Sequence, residues 1–476
     1  MMHVKKNKKR LTLISKIFLV ILNVIILLDI FLIIRMNVLP TKFLMPVLVL
    51  IGIVLLVFNI LLTRKKKKKS FIYFLSVLVI FIFSLIGYYL LGTLGFLSGF
   101  GSHTYKEEAY SVVVLKNSNY EELKDLDNKR FGLISLESKG QKQALKKLKN
   151  KIDFKEKEYS DSGSLAQALL ANDVEAILIE NAQLEMVYEN ILDFEVLTKV
   201  LHEESIKIEV ENKINKIDVT EDFFNIYISG IDTYGSVNKT SRSDVNLVAS
   251  INPKTKEVLI TSIPRDYYVS LAGKKGLKDK LTHAGIYGVE TSMNTIADLL
   301  DTEIDYYVKV NFSSLINIVD TLGGIEVNSN YNFTTIDNYT FKKGINYLNG
   351  KKALSFVRER HAFDYLGGDR VRGENQQLVL KALIEKALKP SILVKYNSLL
   401  KSVDKSFITN IPEEYITKLI NNQLDNNASW NIETINLDGS NGYEYTYSYQ
   451  SQKLYVMIPN EETVINAQEK INLLSN

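Results

Sequence analysis

Three long apolar runs open the chain, at Ile17–Ile34, Phe43–Leu62 and Phe71–Leu91. A helix needs about 20 predominantly apolar residues to cross the hydrocarbon core of a bilayer. Three such runs in succession are not expected of buried helices in a water-soluble protein, and the first is too long for the apolar part of a cleaved signal peptide. The pattern predicts a membrane domain over residues 1–104 with three transmembrane helices.

The basic residues beside these runs predict their orientation. The segment "KKNKKR" precedes the first run and "RKKKKK" separates the second from the third, whereas the first loop carries only Arg35 and Lys42. Loops rich in Lys and Arg remain in the cytoplasm. The N-terminus is therefore predicted to be cytoplasmic, and the chain after about residue 92 is predicted to be extracellular. Asp29 is expected to be tolerated near the outer end of the first helix rather than to face other helices.

Residues 105–215 alternate between strand-like and helix-like segments. "AYSVVVLK" and "VEAILIE" favour strands, while "GQKQALKKLKN" and "SGSLAQALLAND" have helical spacing. A serine at the start of "SGSLAQALL" is expected to cap its helix. The segment shows no His–acid pair and no phosphate-binding loop. We interpret it as a small α/β accessory domain that serves as a scaffold or a partner surface.

The pattern changes near residue 225, where the buried strand "NIYISGID" ends at Asp232. Two further strand-like segments flank the turn "NPKTKE". If Ile251 faces Val258 across this hairpin, Asp244 lies opposite Arg265. Charged residues then meet at one end of the hairpin, where loops often carry function. The predicted strands are Val245–Ile251 and Val258–Ile263, and the charged residues are Asp232, Arg242, Asp244, Arg265 and Asp266.

Composition and charge reduce the number of functions that the sequence allows. The absence of cysteine excludes disulfides, thiolate metal sites and a cysteine nucleophile. Residues 1–104 hold 14 basic residues and one acidic residue, and the remainder holds 44 basic and 53 acidic residues. A nucleic-acid-binding protein would carry its positive surface on the folded domain. We therefore expect no nucleic-acid partner.

Arginine is used selectively in this lysine-rich chain. Of 58 basic residues, ten are arginine, and six of these lie beyond residue 240 among aspartates. A guanidinium group binds phosphate oxygens in pairs, whereas an ammonium group is a point charge. Carboxylates beside phosphate provide oxygen ligands for Mg²⁺. Without an activated serine or cysteine, the pattern points to phosphoryl transfer. The six are Arg242, Arg265, Arg358, Arg360, Arg370 and Arg372.

Two other features leave alternatives open. A lone histidine such as His283 is more often structural than catalytic. The apolar segments "FSSLINIVDTLGGIEV" and "INYLNGKKALSFV" are ordinary core material, and they would equally suit the wall of a groove for an acyl or polyprenyl chain.

Seven motifs resemble, in order, those of the LytR-CpsA-Psr (LCP) proteins of Gram-positive cell walls. They are "GID", "RSD", "SIPRD", "KLTHA", "VDTLGGIEV", "RERH" and "GGDRVRGENQQ". The resemblance covers about residues 222–390, and the membrane and accessory domains resemble the streptococcal capsule type. It implies an α/β protein whose residues 216–476 form a three-layer α/β/α domain with a mixed central sheet.

The resemblance also implies an activity. An LCP protein binds a polyprenyl-pyrophosphate-linked glycopolymer, here expected to be capsular polysaccharide. It transfers the polymer with one phosphate to a peptidoglycan hydroxyl, forming a phosphodiester and releasing polyprenyl phosphate. The expected partners are this lipid-linked polymer, peptidoglycan, the membrane and other capsule-assembly membrane proteins, and the expected cofactor is Mg²⁺.

Site residues follow from the motifs as the resemblance implies. Asp232 and Asp244 would hold Mg²⁺. The pyrophosphate would be bound by Arg242, Arg265, Arg358, Arg360, Arg372 and Gln376, and catalysis would use Arg265, Arg358, Arg360 and Asp369. Asp369 would orient the site or act as the base. The segment "HAFDYLG" is longer than in the family pattern, which leaves the roles of Asp369 and Asp364 open, and Arg370 matches no catalytic position.

Two other functions remain to be weighed. Such proteins have been described as transcriptional attenuators, so a membrane-bound sensor is one alternative. The predicted topology opposes direct DNA contact, because only short basic loops would face the cytoplasm. A lipid-glycan binder without catalysis is the other alternative. The three aspartates favour catalysis, since carboxylates beside phosphate bring nothing to a simple anion binder.

Overall fold

The computed structural model describes residues 13–64, 69–97, 105–135, 138–209, 216–232, 237–366, 368–389 and 407–476. For residues 95–97, 364–366 and 369 it describes the backbone alone. The chain divides into two compact units. One contains the N-terminal helices with residues 412–428, and the other contains most of the remainder.

Helices and strands are numbered here in chain order. The described helices are α1 Leu13–Met36, α2 Thr41–Thr63, α3 Ser70–Leu97, α4 Lys139–Lys149, α5 Ser162–Leu170, α6 Asn181–Asn190, α7 Phe194–Leu197, α8 Leu281–Ala284, α9 Val289–Leu300, α10 Phe312–Thr321, α11 Gly350–Arg358, α12 Gly368–Ala387, α13 Glu413–Asn426 and α14 Glu461–Ser475. The described strands are β1 Tyr105–Leu115, β2 Lys129–Ile134, β3 Phe154–Tyr159, β4 Ala176–Glu180, β5 Thr198–Glu209, β6 Phe224–Ile231, β7 Val245–Asn252, β8 Glu257–Ser262, β9 Tyr268–Ser270, β10 Lys278–Lys280, β11 Tyr306–Asn311, β12 Ile325–Ser329, β13 Phe333–Thr334, β14 Thr340–Phe341, β15 Gly344–Leu348, β16 Phe407–Thr409, β17 Asn431–Asn436, β18 Gly439–Thr446 and β19 Tyr449–Pro459.

Helices α1, α2 and α3 are each long and apolar enough to cross a membrane, which confirms that the three apolar runs form helices. Asn23 and Asn59 pair through reciprocal side-chain hydrogen bonds of 3.1 Å. The expectation for Asp29 was wrong, because its side chain is fully buried among the helices. Gly87 of α3 leaves room for the Asp29 carboxylate, since a Cβ at residue 87 would lie 2.6 Å from one of its oxygens.

The region predicted to form the accessory domain contains, within residues 105–209, a five-stranded sheet in the order β3-β2-β4-β1-β5. Helix α4 packs on one face and helices α5 and α6 on the other, through buried aliphatic residues. The predicted serine cap of α5 was wrong. The Asp161 carboxylate accepts hydrogen bonds from the backbone N–H groups of Gly163 and Ser164 instead, since a carboxylate is a stronger acceptor near a helix N-terminus.

A six-stranded mixed sheet forms the centre of the C-terminal region, in the order β16-β11-β6-β7-β8-β17. Strands β6 and β11 are parallel, as are β8 and β17, and the other neighbours are antiparallel. Ile251 lies opposite Val258, so the predicted hairpin register is confirmed.

Helices cover both faces of this sheet. Alternate strand residues point to opposite faces, so Val248 and Leu259 pack with α9 and α14, while Val258 and Ile260 pack with α12. This arrangement confirms the three-layer α/β/α fold. The boundary at residue 215 stays a prediction, since the accessory sheet and this layered domain belong to one compact unit.

The strand directions create one edge where loops converge. Strands β6, β8, β11 and β17 end there, and β7 begins there. Helix α12 also begins at this edge. A Cβ on Gly373, in its second turn, would lie 3.0 Å from the Ser262 hydroxyl at the end of β8, and Gln377 donates to the carbonyl of Ile260 farther inside. The carboxyl edge of such sheets is the usual place for ligands.

Candidate active site

A buried polar network fixes the "RSD" segment before β7. The Ser243 side chain is almost fully buried. Its hydroxyl lies 2.9 Å from the Tyr227 hydroxyl, 2.8 Å from the Ser229 hydroxyl and 2.9 Å from the Asn246 side-chain oxygen. A satisfied buried network of this kind holds its members in one geometry. Ser243 therefore anchors the backbone that carries the neighbouring Arg242.

Thr282, in the "KLTHA" segment, joins two of the charged segments. Its carbonyl accepts from the Ser243 backbone N–H at 3.0 Å, and its own N–H donates to the Arg265 carbonyl at 2.8 Å. Its hydroxyl also lies 3.5 Å from a carboxylate oxygen of Asp244. These backbone bonds place the segment before β7 beside the loop that follows β8.

Arg265 and Asp244 meet there, as the hairpin register predicts. Arg265 Nη1 lies 2.6 Å from Asp244 Oδ1, and the two side chains are 22% and 12% exposed. Arg265 Nε is 3.7 Å from Asp266, which also pairs with Lys280 at 2.5 Å. Burial opposes the ionisation of Asp266, but Lys280 and Arg265 hold its pKa below the ordinary value. This carboxylate is therefore ionised at neutral pH.

Asp232 and Arg358 form a looser, solvent-accessible pair. Arg358 Nη2 is 3.9 Å from Asp232 Oδ1, and each side chain is about half exposed. The Arg358 guanidinium lies over the Phe312 ring, 4.4 Å from its centre, which keeps the cation in place. Burial raises the pKa of Asp232 and the charge of Asp244 raises it further, while Arg358 lowers it. Two carboxylates therefore share this edge and repel each other.

The N-terminal part of α12 brings Arg372 to the same edge. Its positive charge opposes the rise that burial causes in the pKa of Asp232. Gln376 lies four residues later and thus on the same helix face. The backbone of Arg360 packs against the start of the helix, since a Cβ on Gly368 would lie 2.4 Å from the Arg360 carbonyl oxygen. The helix N-terminus adds a partial positive charge.

Not every predicted residue is tied to this group. Among the described residues, Arg360 and Gln376 make no side-chain hydrogen bond or ion pair with the other predicted site residues. Arg370 is exposed. The side chains of Asp364 and Asp369 lie outside the described residues, so the role expected for Asp369 stays a prediction.

His283 has a structural position. Its Nδ1 lies 2.6 Å from Asp279 Oδ1, and both side chains are buried. The other Asp279 oxygen accepts from the backbone N–H of Ser448 at 2.8 Å. Burial opposes the ionisation of Asp279, but His283 and Ser448 hold its pKa below the ordinary value. The pair therefore joins α8 to the turn before β19.

Sequence reasoning missed several residues that touch or support the site. Lys280 and Thr282 lie inside the "KLTHA" motif, so the sequence marked both positions, but it indicated no role for either side chain. The ring beneath Arg358 and the accessory-domain acids beside Arg242 carry no sequence signal, because only the tertiary fold brings them near. The missed residues are Thr282, Lys280, Phe312, Glu185 and Glu189.

The arrangement suits a phosphorylated ligand. Guanidinium groups from separate segments surround two carboxylates at a helix N-terminus, which is the donor set that binds pyrophosphate. Within the described ranges, no group of three or more His, Cys, Asp or Glu residues is placed to hold a metal ion. Mg²⁺ is commonly bound by one or two carboxylates with substrate phosphates. Asp232 and Asp244 fit Mg²⁺ when the substrate supplies further oxygen ligands.

Comparisons with known proteins bear on the same region. A model of the LytR_cpsA_psr family matches residues 194–463, more than half of the chain. The polyisoprenyl-teichoic acid–peptidoglycan teichoic acid transferase TagU of Bacillus subtilis (strain 168) is 37% identical over 210 residues, which cover 44% of this chain and 65% of TagU. TagU of Bacillus cereus (strain ATCC 14579) is 34% identical over 232 residues, covering 48% of this chain and 74% of TagU.

Two solved structures are also similar to this chain. The crystal structure of B. subtilis TagU is 31% identical and covers 54% of this chain and 98% of its own, with a TM-score of 0.42. The structure described as TagT bound to LIIa-WTA is 26% identical and covers 56% of this chain and 95% of its own, with a TM-score of 0.44.

Proposed function

This chain belongs to the LytR-CpsA-Psr family, and on that premise we propose that it transfers a polyprenyl-pyrophosphate-linked glycopolymer to peptidoglycan. One observation carries the proposal. Arginines from separate segments, Arg265, Arg358 and Arg372, surround Asp232 and Asp244 at one sheet edge. The name of the relative TagU, a polyisoprenyl-teichoic acid–peptidoglycan teichoic acid transferase, supports the same reaction class.

The proposed reaction is a single phosphoryl transfer. The acceptor hydroxyl attacks the phosphorus that bears the sugar, and a new P–O bond forms. The bond from that phosphorus to the bridging oxygen breaks, and polyprenyl phosphate leaves with the bridging oxygen. The hydroxyl proton passes to a base, for which Asp369 is our candidate. Arg265 and Arg358 would offset the negative charge that moves onto the leaving phosphate.

Asp232 and Asp244 would hold Mg²⁺ in this proposal. The ion would supply positive charge at the pyrophosphate oxygens and favour departure of the leaving group. The raised pKa of Asp232, caused first by burial and then by Asp244, is consistent with a carboxylate pair that gains from a bound cation. Arg265 already pairs with Asp244 at 2.6 Å, whereas Arg358 is 3.9 Å from Asp232, so Asp232 would depend more on the ion.

The N-terminal helices would anchor the chain in the membrane that contains the lipid-linked donor. In this proposal the N-terminus is cytoplasmic, and residues after about 92 face the outside, where peptidoglycan is assembled. Other capsule-assembly membrane proteins are the further partners that we propose. Direct DNA binding by a transcriptional attenuator fits less well, because the chain after residue 104 carries more acidic than basic residues.

The identity of the transferred polymer is the more specific part of the proposal. The relatives compared above are named for teichoic acid, and their alignments cover less than half of this chain. The capsule assignment depends on the membrane and accessory regions. Parallel assays with capsular and teichoic-acid donors on the same polyprenyl pyrophosphate would decide between them, and a preference for teichoic acid would overturn the capsule assignment.

The test of the activity uses the full chain in detergent micelles. A radiolabelled undecaprenyl-pyrophosphate oligosaccharide is incubated with peptidoglycan fragments, and label in the fragments is measured. Wild type should transfer label, and Arg358→Ala should reduce transfer about tenfold or more. Arg130→Ala is the matched control, because Arg130 forms an exposed ion pair with Glu175 in the accessory sheet. Donor binding without any transfer would support the non-catalytic binder instead.

A further inference from the structure

Helix α6 of the accessory domain is docked beside the candidate site. Ala182 and Met186, one turn apart on α6, are buried against Ile286 of the C-terminal domain. At the end of the same helix, the Asn190 carbonyl accepts a hydrogen bond of 3.0 Å from the Gln452 side chain. Helix α6 is therefore held at two points along its length, and it has a defined position on the C-terminal domain.

A second junction holds the accessory domain to the loop that leads into the site. The backbone N–H of Glu107 in β1 donates to the Asn238 carbonyl at 3.0 Å, and the Thr240 N–H donates to the Glu107 carbonyl at 2.9 Å. This loop lies between Asp232 and Arg242 in the chain. The accessory domain therefore supports the backbone immediately before Arg242.

The segment that α6 covers also packs against the backbone around Arg242. Ile286, which α6 covers, directly follows Gly285. A Cβ on Gly285 would lie 2.7 Å from the Ser241 carbonyl oxygen and 2.8 Å from the Ser243 N–H nitrogen. The glycine therefore allows a close approach between the segment under α6 and the segment that carries Arg242.

The guanidinium group of Arg242 contacts the same helix. Glu185 and Glu189 lie four residues apart and so share one face of α6. Arg242 Nη1 donates to Glu189 Oε2, and Arg242 Nε lies 4.0 Å from Glu185 Oε2. The Arg242 side chain is 13% exposed, whereas the glutamates are about half exposed.

Glu185, which lies beside Arg242, is also affected by the charges of the site. Burial raises the pKa of Glu185, and the charges of Asp244, Glu189 and Asp232 raise it further, against the opposing charge of Arg242. Glu185 is therefore near enough to the candidate site to be affected by both of its aspartates. The accessory domain contributes side chains to the edge of the site.

We infer that Glu189, assisted by Glu185, is a positioning residue for Arg242, so that the accessory domain completes the pyrophosphate-binding site. The inference rests on the proposed function. A mostly buried guanidinium needs a counter-charge when no ligand is present. With Nη1 held by Glu189, the rest of the planar fork keeps one orientation, and less side-chain entropy is lost when phosphate binds.

The test separates positioning from general electrostatics by a double-mutant cycle. The assay described above is run on wild type, Glu189→Gln, Arg242→Ala and the double variant. Glu189→Gln should raise the KM for the lipid-linked donor about threefold to fivefold with little change in kcat, and it should have no further effect in the Arg242→Ala background. Glu189→Asp should restore part of the loss. Glu195→Gln, an exposed acid on α7, is the matched control and should behave as wild type.

Two kinetic outcomes would overturn the inference. A lower KM for Glu189→Gln would mean that the glutamate competes with the substrate for Arg242. An equal effect of Glu189→Gln with and without Arg242 would mean that it acts independently of this arginine.

A binding measurement keeps the inference separate from the proposed reaction. Geranylgeranyl pyrophosphate in detergent is titrated into the full chain by calorimetry. If wild type binds this probe but transfers no polymer, the proposed function fails while Glu189 is still tested. Weaker binding by Glu189→Gln alone, and not by Glu195→Gln, supports positioning. Unchanged binding by Glu189→Gln, or no binding by wild type, refutes it.

Discussion

Replacement of Arg265 by lysine should separate the stability of the protein from its activity. Arg265 Nη1 lies 2.6 Å from Asp244, and the two side chains are mostly buried. Removing the cation in Arg265→Ala leaves the Asp244 carboxylate uncompensated, at a cost of about 3 kcal/mol in the free energy of unfolding. Lysine retains the charge, so Arg265→Lys should recover most of that stability.

Activity should not recover in the same way. A guanidinium group offers two N–H donors in one plane to a phosphate, and an ammonium group cannot reproduce that geometry. A charge-assisted hydrogen bond is worth about 1.5–3 kcal/mol. If the contact tightens in the transition state, its loss lowers the rate about tenfold to a hundredfold. Arg265→Lys should therefore fold nearly as stably as wild type but be almost as inactive as Arg265→Ala.

Thermal unfolding and polymer transfer are measured on the same preparations of both variants. The rates are corrected for any unfolded fraction at the assay temperature. Arg130→Lys is the matched control, because its ion pair with Glu175 is exposed and lies in the accessory sheet. Near wild-type turnover of Arg265→Lys would refute the argument from fork geometry, and the arginine cluster would then act as charge alone.

Three further predictions follow from the same structure. Asp232→Asn should abolish Mg²⁺-dependent transfer and weaken Mg²⁺ binding as measured by calorimetry. It should lower the free energy of unfolding by less than about 1 kcal/mol, because the ion pair of Asp232 with Arg358 is long and half exposed. Full activity in EDTA would contradict the metal role. Burial lowers the pKa of Lys309 from 10.5 to about 8, so the folded state binds fewer protons than the unfolded state between these values and stability should rise with pH across this window. Lys309→Met should then stabilise the protein by about 3 kcal/mol at pH 7 and flatten that rise in denaturant titrations, whereas a lower midpoint at pH 7 would contradict it. Protease added to intact wall-stripped cells should digest residues 105–476, and their protection would reverse the predicted orientation.

Local patterns predicted much of the fold correctly. The three apolar runs became helices because their length and composition leave few alternatives in a membrane. The hairpin register was also predictable, since a slip of one residue would move the apolar side chains to the wrong face. Ile251 and Val258 are paired as expected, and the contact between Asp244 and Arg265 follows directly from that pairing.

Predictions that needed knowledge of neighbouring elements were less successful. Asp29 was expected near the membrane surface, but the space that Gly87 leaves on another helix allows it to be buried. The α5 cap was assigned to a serine although Asp161, one residue earlier, makes the bonds. In both cases the sequence indicated a suitable residue type without showing which partner lay opposite.

The sequence by itself determined the three apolar helices, the mixed order of strands and helices, and the use of arginine at the candidate site. These properties depend on residues close together in the chain, where composition and periodicity act directly. Only the tertiary structure placed Phe312 beneath Arg358 and Glu189 against Arg242. These contacts join segments far apart in the chain, and they depend on how separate layers pack. No local pattern records that packing, so the accessory domain's share in the candidate site became visible only in the folded protein.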